Sequence, residues 1–281
     1  MKSYFIAGAM LAIGLAAPAF AQDTAPPKPV TVTGSVALVS DYRFRGVSQS
    51  DEEAAIQGGL TIAHQSGFYV GTWASNLAGW GTFGGSNTEL DLIGGFKTPV
   101  GGGTLDVGLT WYMYPGGASK TDFAEPYVKL SGTAGPATLT AGVAYAPSQQ
   151  ALGRWYYSGA SAVAGAYDDP GDKEDNLYLW GDAAVGVPGT GATAKAHIGY
   201  SKGNSGLGPN GTSVAPTGEY WDWLLGVDYA IAGTPLTLGV AYADTDISRS
   251  ESAYLLPNFS STKDGGSIAG GQVVFSVSAA F

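Results

Sequence analysis

Apolar residues alternate with polar or small ones at a period of two along most of the chain from Val30 onward. One clear example is the row Leu105, Val107, Leu109, Trp111 and Met113, which alternates with Thr104, Asp106, Gly108, Thr110 and Tyr112. A period of two places successive side chains on opposite faces of a β-strand, whereas a helix requires a period near 3.6. The pattern therefore predicts an all-β chain whose strands have one apolar and one polar face.

Twelve segments show this alternation. Their predicted bounds are 31–44, 54–64, 67–75, 87–98, 103–114, 122–131, 136–147, 175–187, 191–202, 219–231, 235–246 and 270–281. A strand of about eleven residues spans about 36 Å, or about 28 Å when tilted by about 40°, which covers an apolar band about 25 Å tall. An even number of such strands favours an antiparallel up-and-down transmembrane β-barrel of about twelve strands.

The connections between these segments alternate in length. Short, turn-rich links such as His64–Gly67 and Ala232–Pro235 follow the even segments, and longer links such as Asn76–Ser86 and Pro147–Glu174 follow most odd ones. Transmembrane barrels have short periplasmic turns and longer extracellular loops. The alternation therefore predicts a barrel with both termini in the periplasm.

Charged residues in the clear strands fall on the face opposite the Val, Leu and Trp row, which predicts a lipid-facing apolar face and a charged inner face. The candidate lumen residues are Asp41, Arg43, Arg45, Glu89, Asp91, Asp106, Glu125, Lys129, Asp182, Lys195, His197, Asp222 and Asp228. The first three are expected on the inner face at the outer end of the first strand. There they form either a charged rim that selects solutes or salt bridges that brace the wall.

The inner acids outnumber the bases, so a water-filled lumen would favour cations, whereas in a plugged interior the same groups would pair with one another. Barrels of eight strands are filled by side chains, and those of sixteen to eighteen leave an aqueous channel. Twelve strands therefore permit a narrow pore without requiring one.

Residues 1–21 have the features of a secretory signal peptide. Lys2 precedes an apolar run, and the small residues Ala19 and Ala21 form an A-x-A cleavage pattern before Gln22. The run is shorter than the roughly 20 residues that span a bilayer as a helix. We expect export, a Pro-rich periplasmic lead over 22–30 and a barrel over 31–281.

Charge and composition exclude several classes of function. Removing Lys2 from 13 basic residues leaves 12 against 23 acidic ones, a net charge of −11, which argues against nucleic acid as a partner. The chain has no cysteine, so thiolate metal sites and cysteine nucleophiles are absent. His64 and His197 stand alone, and no serine lies in a G-x-S-x-G motif. We therefore expect neither an enzyme nor a bound cofactor or metal.

Two features of the loops allow more than one interpretation. Trp155, Tyr156 and Tyr157 belong either to an interfacial aromatic girdle or to a platform on which sugars stack. The acidic stretch Asp168–Asp175 is either a solvated loop or a cation site, but its spacing does not fit the twelve-residue calcium loop.

The end of the chain carries a further signal. Val273, Phe275, Val277, Ala279 and Phe281 form one apolar face that ends in an aromatic residue. This segment resembles the terminal strand by which outer-membrane proteins are recognised for barrel assembly. The resemblance implies the outer membrane of a Gram-negative bacterium, with its lipid and lipopolysaccharide and the assembly machinery as partners.

A family resemblance covers about the first third of the mature chain. Ser40–Ser50 is similar to the opening motif of the TorF-type porin family, a group of bacterial outer-membrane proteins of largely unestablished function. Gln57–Gly59, Gly67–Asn76 and Glu89–Leu92 continue the similarity in order. The resemblance implies a porin-like barrel but supplies neither a substrate nor a catalytic residue.

The expected function is passive diffusion of small hydrophilic solutes or ions through a narrow, net acidic lumen. The alternative is a closed barrel whose long extracellular loops bind a ligand or a surface.

Overall fold

The computed structural model describes residues 29–281. The predicted signal peptide and almost all of the predicted lead lie outside these residues. Within them, twelve strands form one closed barrel. The barrel strands are β1 (Val30–Val39), β4 (Ala55–His64), β5 (Phe68–Asn76), β6 (Thr88–Val100), β7 (Gly103–Met113), β8 (Phe123–Ala134), β9 (Ala137–Gln149), β10 (Glu174–Gly186), β11 (Ala192–Ser205), β12 (Thr217–Ala230), β13 (Leu236–Thr245) and β14 (Gln272–Ala280).

Each barrel strand pairs antiparallel with its neighbours in the sequence, and β1 pairs with β14 to close the ring. The predicted fold class is confirmed. Eleven of the predicted segments coincide with barrel strands, but the first was predicted to extend to residue 44 and leaves the wall after Val39. Residues 43–44 and 47–48 instead form two short strands, β2 (Arg43–Phe44) and β3 (Val47–Ser48), which pair only with each other.

The connections fall into two sets at opposite ends of the barrel. One end, here called the short-turn end, has links of two to five residues at 65–67, 101–102, 135–136, 187–191 and 231–235. One of the two two-residue turns uses Gly101 and Gly102, both with positive φ (55° and 88°), as a type I′ hairpin turn requires. The other end, the long-loop end, has links at 40–54, 77–87, 114–122, 150–173, 206–216 and 246–271.

The barrel wall is apolar on its outer face and carries charged groups on its inner face, the reverse of the arrangement in a water-soluble protein. In β12, Leu225 is 62% exposed on the outer face, whereas its inward neighbours Leu224 and Asp222 are 7% and 1% exposed. Large exposed apolar side chains alternate in the same way along the other barrel strands. So large an apolar surface indicates contact with lipid or with another protein. Of the helices in residues 29–281, none has the length and apolar character to cross a membrane.

The long loops have a hydrophobic core of their own, here called the loop layer. Its buried residues are Val47, Trp80, Trp155, Tyr156, Leu207, Ala215, Tyr220, Ile247, Leu255, Phe259, Ile268 and Ala269. Short helical pieces support it: α1 (Gly159–Val163) and 3-10 turns at Gly79–Thr82, Gln150–Leu152 and Ala253–Leu255. Ser158 begins α1 with a capping box, because its hydroxyl accepts the N–H of Ser161. The long-loop end is thus a packed structure.

Candidate functional site

The connection between β1 and β4 folds into the barrel, and residues 40–54 are here called the lumen hairpin. Its strands β2 and β3 are joined by Arg45 and Gly46, whose φ values of 49° and 79° form a tight two-residue turn. A Cβ on Gly46 would collide with the Thr245 methyl group, so the tip fits against the end of β13 only with glycine there.

The tip of the lumen hairpin reaches the far wall. Arg45 Nη2 donates to both carboxylate oxygens of Glu125 on β8 at 2.7 Å, and the guanidinium lies 4.0 Å from the ring centroid of Tyr178 on β10. The strand between β8 and β10 is β9, which lies six positions from β1 in the ring of twelve. The lumen hairpin, extended by the Arg45 side chain, therefore reaches the wall opposite β1.

The sequence had placed Asp41, Arg43 and Arg45 on the wall at the end of the first strand, and this position is wrong. All three lie in the lumen hairpin and are 3–5% exposed. The chain leaves the wall because the Asp41 carboxylate organises a local network. It accepts Arg43 Nε at 2.7 Å and the hydroxyl groups of Ser48 at 2.6 Å and Ser50 at 3.1 Å.

Contacts at the rim tie the base of the lumen hairpin to other loops. Ser48 N donates to Ile268 O at 2.9 Å, and Arg43 Nη1 donates to Gly270 O at 2.7 Å. Asp51 accepts the N–H of Thr262 at 2.9 Å as well as its hydroxyl. The hairpin is thereby anchored mainly to the 246–271 loop.

A group of carboxylates lines the wall near the hairpin. Glu89 accepts the Tyr42 hydroxyl at 3.1 Å, and Glu125 accepts the Tyr112 hydroxyl at 3.2 Å in addition to Arg45. Asp91 is fully buried, and neither of its carboxylate oxygens has a hydrogen-bond partner among residues 29–281. This layer of the lumen is therefore rich in carboxyl groups, with Arg45 as the cation that the hairpin brings to it.

Nearer the short-turn end, Asp106 is the centre of a second network. It accepts the Tyr69 hydroxyl at 2.7 Å and lies 3.3 Å from Lys129 Nζ and 3.8 Å from Lys97 Nζ. The Tyr69 hydroxyl also bonds that of Tyr127. These contacts link β5, β6, β7 and β8 across the inner face.

A third network connects β10, β11 and β12. His197 Nδ1 lies 2.6 Å from Asp182 Oδ1, and its Nε2 lies 3.1 Å from Asp222 Oδ1. Lys195 and Asp228 form a further pair at 2.6 Å. The Asp182 side chain is 43% exposed, whereas that of Asp222 is 1% exposed, so water reaches the interior at Asp182.

All thirteen candidate lumen residues thus lie inside the barrel. The structure pairs most of them with one another and leaves Asp91 unpaired. Sequence reasoning missed Lys97, which is paired with Asp106, and the buried tyrosines that carry many of the hydrogen bonds.

Several inner aromatic rings lie flat against glycines of the adjacent strand. A Cβ on Gly95 would come within 2.5 Å of the Tyr69 hydroxyl, and one on Gly108 within 2.5 Å of the Tyr127 hydroxyl. In the register, Tyr69 pairs with Gly95 and Tyr127 with Gly108. Such cross-strand glycine–tyrosine pairs can be recognised in the sequence once the register between the strands is known. Because glycine has no side chain, these pairs let the large rings lie close to the wall.

The aromatic loop segment is mostly packed. Trp155 and Tyr156 are each 6% exposed in the loop layer, and only Tyr157, at 46%, presents much of its surface. Tyr157 also receives the Arg154 guanidinium, 4.1 Å from its ring centroid. The three rings therefore do not form the open platform that the sequence allowed.

Carboxylates of the acidic stretch Asp168–Asp175 accept hydrogen bonds from other parts of the chain. Asp168 accepts the N–H of Tyr157 at 2.7 Å, and this hydrogen bond lowers the pKa of the Asp168 carboxyl below its ordinary value. Asp172 accepts the N–H of Arg154 at 2.8 Å, and Asp175 accepts the Tyr145 hydroxyl at 2.7 Å. Across residues 29–281, no three His, Cys, Asp or Glu side chains are grouped so as to hold a metal ion.

A closed antiparallel barrel that is apolar outside and charged inside has the architecture of the transmembrane β-barrels. The chain belongs to the Gcw_chp family, described as bacterial proteins of unknown function, whose model matches residues 23–281. No curated protein matches the sequence.

Solved porin structures share the fold. The NanC porin superposes with a TM-score of 0.52 at 10% identity, covering 89% of this chain and 99% of its own. The KdgM porin superposes with a TM-score of 0.50 at 8% identity, again covering 89% and 99% of the two chains. At such low identity the likeness concerns the fold alone.

Proposed function

We propose that this protein is an outer-membrane channel through which small hydrophilic solutes or ions diffuse passively. The observation that carries the proposal is the reversed polarity of the wall, with an apolar outer face and ionisable groups along the whole inner face. An inner face of this kind suits a barrel that encloses water or polar cargo. The motif at Ser40–Ser50, similar to that of the TorF-type porins, supports the same assignment.

The proposed selectivity is for cations. The inner wall carries more carboxylates than amines. The acids are Glu89, Asp91, Asp106, Glu125, Asp182, Asp222 and Asp228, and the lysines are Lys97, Lys129 and Lys195. A ring of excess negative charge in a low-dielectric wall raises the local concentration of cations and repels anions.

In the proposed orientation, the long-loop end faces the cell exterior and its lipopolysaccharide, and the short-turn end faces the periplasm. The asymmetry of the connections supports this arrangement. The chain would arrive as an exported precursor, and its last strand, followed by Phe281, would be read by the barrel assembly machinery.

The structure gives less support to a closed barrel that binds a ligand through its loops. Two of the three aromatic side chains that suggested such binding, Trp155 and Tyr156, are used in packing the loop layer.

The test is single-channel recording of refolded Gln22–Phe281 in a planar bilayer, with the reversal potential measured in a KCl gradient. We expect discrete current steps and a reversal potential that indicates cation preference. Asp182→Asn should reduce that preference, because this carboxylate is the water-accessible member of its network. Asp169→Asn, on an exposed loop, is the matched control and should leave it unchanged. Equal selectivity in all three proteins would contradict the assigned role of the lumen charges.

A further inference from the structure

The lumen hairpin obstructs the path that the proposed function requires. It enters between β1 and β4, and its tip contacts β8 and β10 on the far side of the ring. Its strands β2 and β3 pair only with each other and with no barrel strand. Moving the hairpin would therefore leave the wall intact.

The tip and the base of the hairpin are held differently. The base has several hydrogen bonds to the 246–271 loop, including those of Ser48 and Asp51. The contact of the tip with the far wall is the side chain of Arg45, which pairs with Glu125 and lies over Tyr178. Arg45 Nη1 has no hydrogen-bond partner among residues 29–281. One ion pair and one ring contact thus hold the tip to the far wall, while Phe44 packs against Tyr112 on β7 and Gly46 fits against Thr245 on β13.

The hairpin also contains its own hinge. Asp51 and Glu52 are consecutive non-glycine residues in the left-handed region, with φ values of 56° and 59°. Arg45 at the tip has a φ of 49°. Such residues are strained and persist only while surrounding contacts hold them. Release of the tip would let the two hinge residues relax.

We propose that the lumen hairpin is the gate of this barrel and that the Arg45–Glu125 ion pair is the latch that holds it closed. The inference rests on the proposed channel function. In the open state the hairpin withdraws from Glu125, and the lumen then presents the carboxylates of Glu89, Asp91 and Glu125 without their opposing guanidinium. The gate therefore couples opening to a more acidic, more cation-selective lumen.

The central experiment compares single-channel open probability in the wild type and in Glu125→Gln. Glutamine has nearly the volume of glutamate, so a wider lumen cannot account for a change. Loss of one member of a buried ion pair strongly destabilises the state that contains it, and we expect open probability to rise about tenfold or more. Arg45→Met should give the same result. Lys202→Met, which removes an exposed ion pair with Glu219 between the wall strands β11 and β12, is the control and should leave open probability unchanged.

A reversible disulfide lock distinguishes movement of the gate from the change in electric field that removal of the Glu125 charge causes. The chain contains no cysteine, so Gly46→Cys with Thr245→Cys gives one engineered pair between the tip and wall strand β13, where a Cβ on residue 46 would lie against the Thr245 side chain. In the Glu125→Gln background, the oxidised pair should silence the channel and reduction should restore its openings. Retained heat-modifiable migration in gels would show that each variant still forms a barrel.

Each outcome decides between the two proposals. If the wild type and Glu125→Gln conduct with equal open probability, or if the lock has no effect, the gate is overturned while the channel stands. If every protein is silent, including a folded variant with residues 41–53 replaced by a short Gly-Ser linker, both the channel and its gate are overturned.

Discussion

Leu225→Arg tests whether lipid surrounds this barrel. Leu225 points outward from β12 and is 62% exposed. It lies five residues before the strand ends at Ala230, at the short-turn end. Five residues correspond to about 16 Å of strand, or about 13 Å along the barrel axis at a tilt of about 40°. Half of an apolar band about 25 Å tall is about 12 Å, so Leu225 lies close to the bilayer midplane.

This depth sets the expected cost. An arginine on the lipid face destabilises a barrel by about 2–4 kcal/mol at the midplane and by about 0–1 kcal/mol near the interface. Leu236→Arg is the matched control, because Leu236 also points outward but is the first residue of β13, at the short-turn end. In a water-soluble protein, by contrast, an exposed leucine-to-arginine change alters stability by about 0.5 kcal/mol or less.

The assay is reversible guanidinium unfolding of the protein in phospholipid vesicles, followed by tryptophan fluorescence, since the chain has 7 tryptophans. We expect the free energy of unfolding to fall by about 2–4 kcal/mol in Leu225→Arg and by less than about 1 kcal/mol in Leu236→Arg. Similar small losses in both variants would refute the argument, because they would mean that the outer face at Leu225 is not in hydrocarbon.

Two further predictions concern the inner wall and the loops. Gly108→Ala should lower the free energy of unfolding by about 1–3 kcal/mol, because its Cβ would press on the Tyr127 ring. Combining it with Tyr127→Ala should recover part of that loss in the same unfolding assay. Additive losses of stability in the double variant would contradict the contact. The Asp168 contact with the Tyr157 N–H should persist as the pH falls to about 4 and be lost only in more acid solution, because the hydrogen bond lowers the pKa of this carboxyl. A carboxyl chemical-shift titration measures this pKa, and an ordinary or raised value would show that the contact is absent in solution.

The strands and their inner faces were predictable because a two-residue period fixes which side chains share a face. Asp106, Lys129 and Asp228 lie at positions of inward parity, and the structure places them inside. The ion pairs among them were not predictable, because they depend on the register between strands, which the sequence alone does not give.

The lumen hairpin was missed for a related reason. Alternation continues from β1 through Asp41 and Arg43, so the sequence shows no sign that the wall strand ends at Val39. The end is determined by the local network of Asp41 and by tertiary contacts of Arg43 and Arg45 with residues far along the chain. Burial of Trp155 in the loop layer was likewise hidden, because irregular loops have no period from which burial can be inferred.

The closure between β1 and β14 has a consequence for how this barrel is assembled. The register joins β1 to β14 over five residue pairs, from Ser35 to Val39, whereas it joins β1 to β4 over ten. Two backbone hydrogen bonds between Gly34 and Phe281, at 2.7 and 2.9 Å, extend this seam. Until the last strand arrives, the sheet has two open edges that could pair with another chain. The seam joins the two ends of the sheet and, having the fewest pairs, is the joint at which the cylinder would first part under strain.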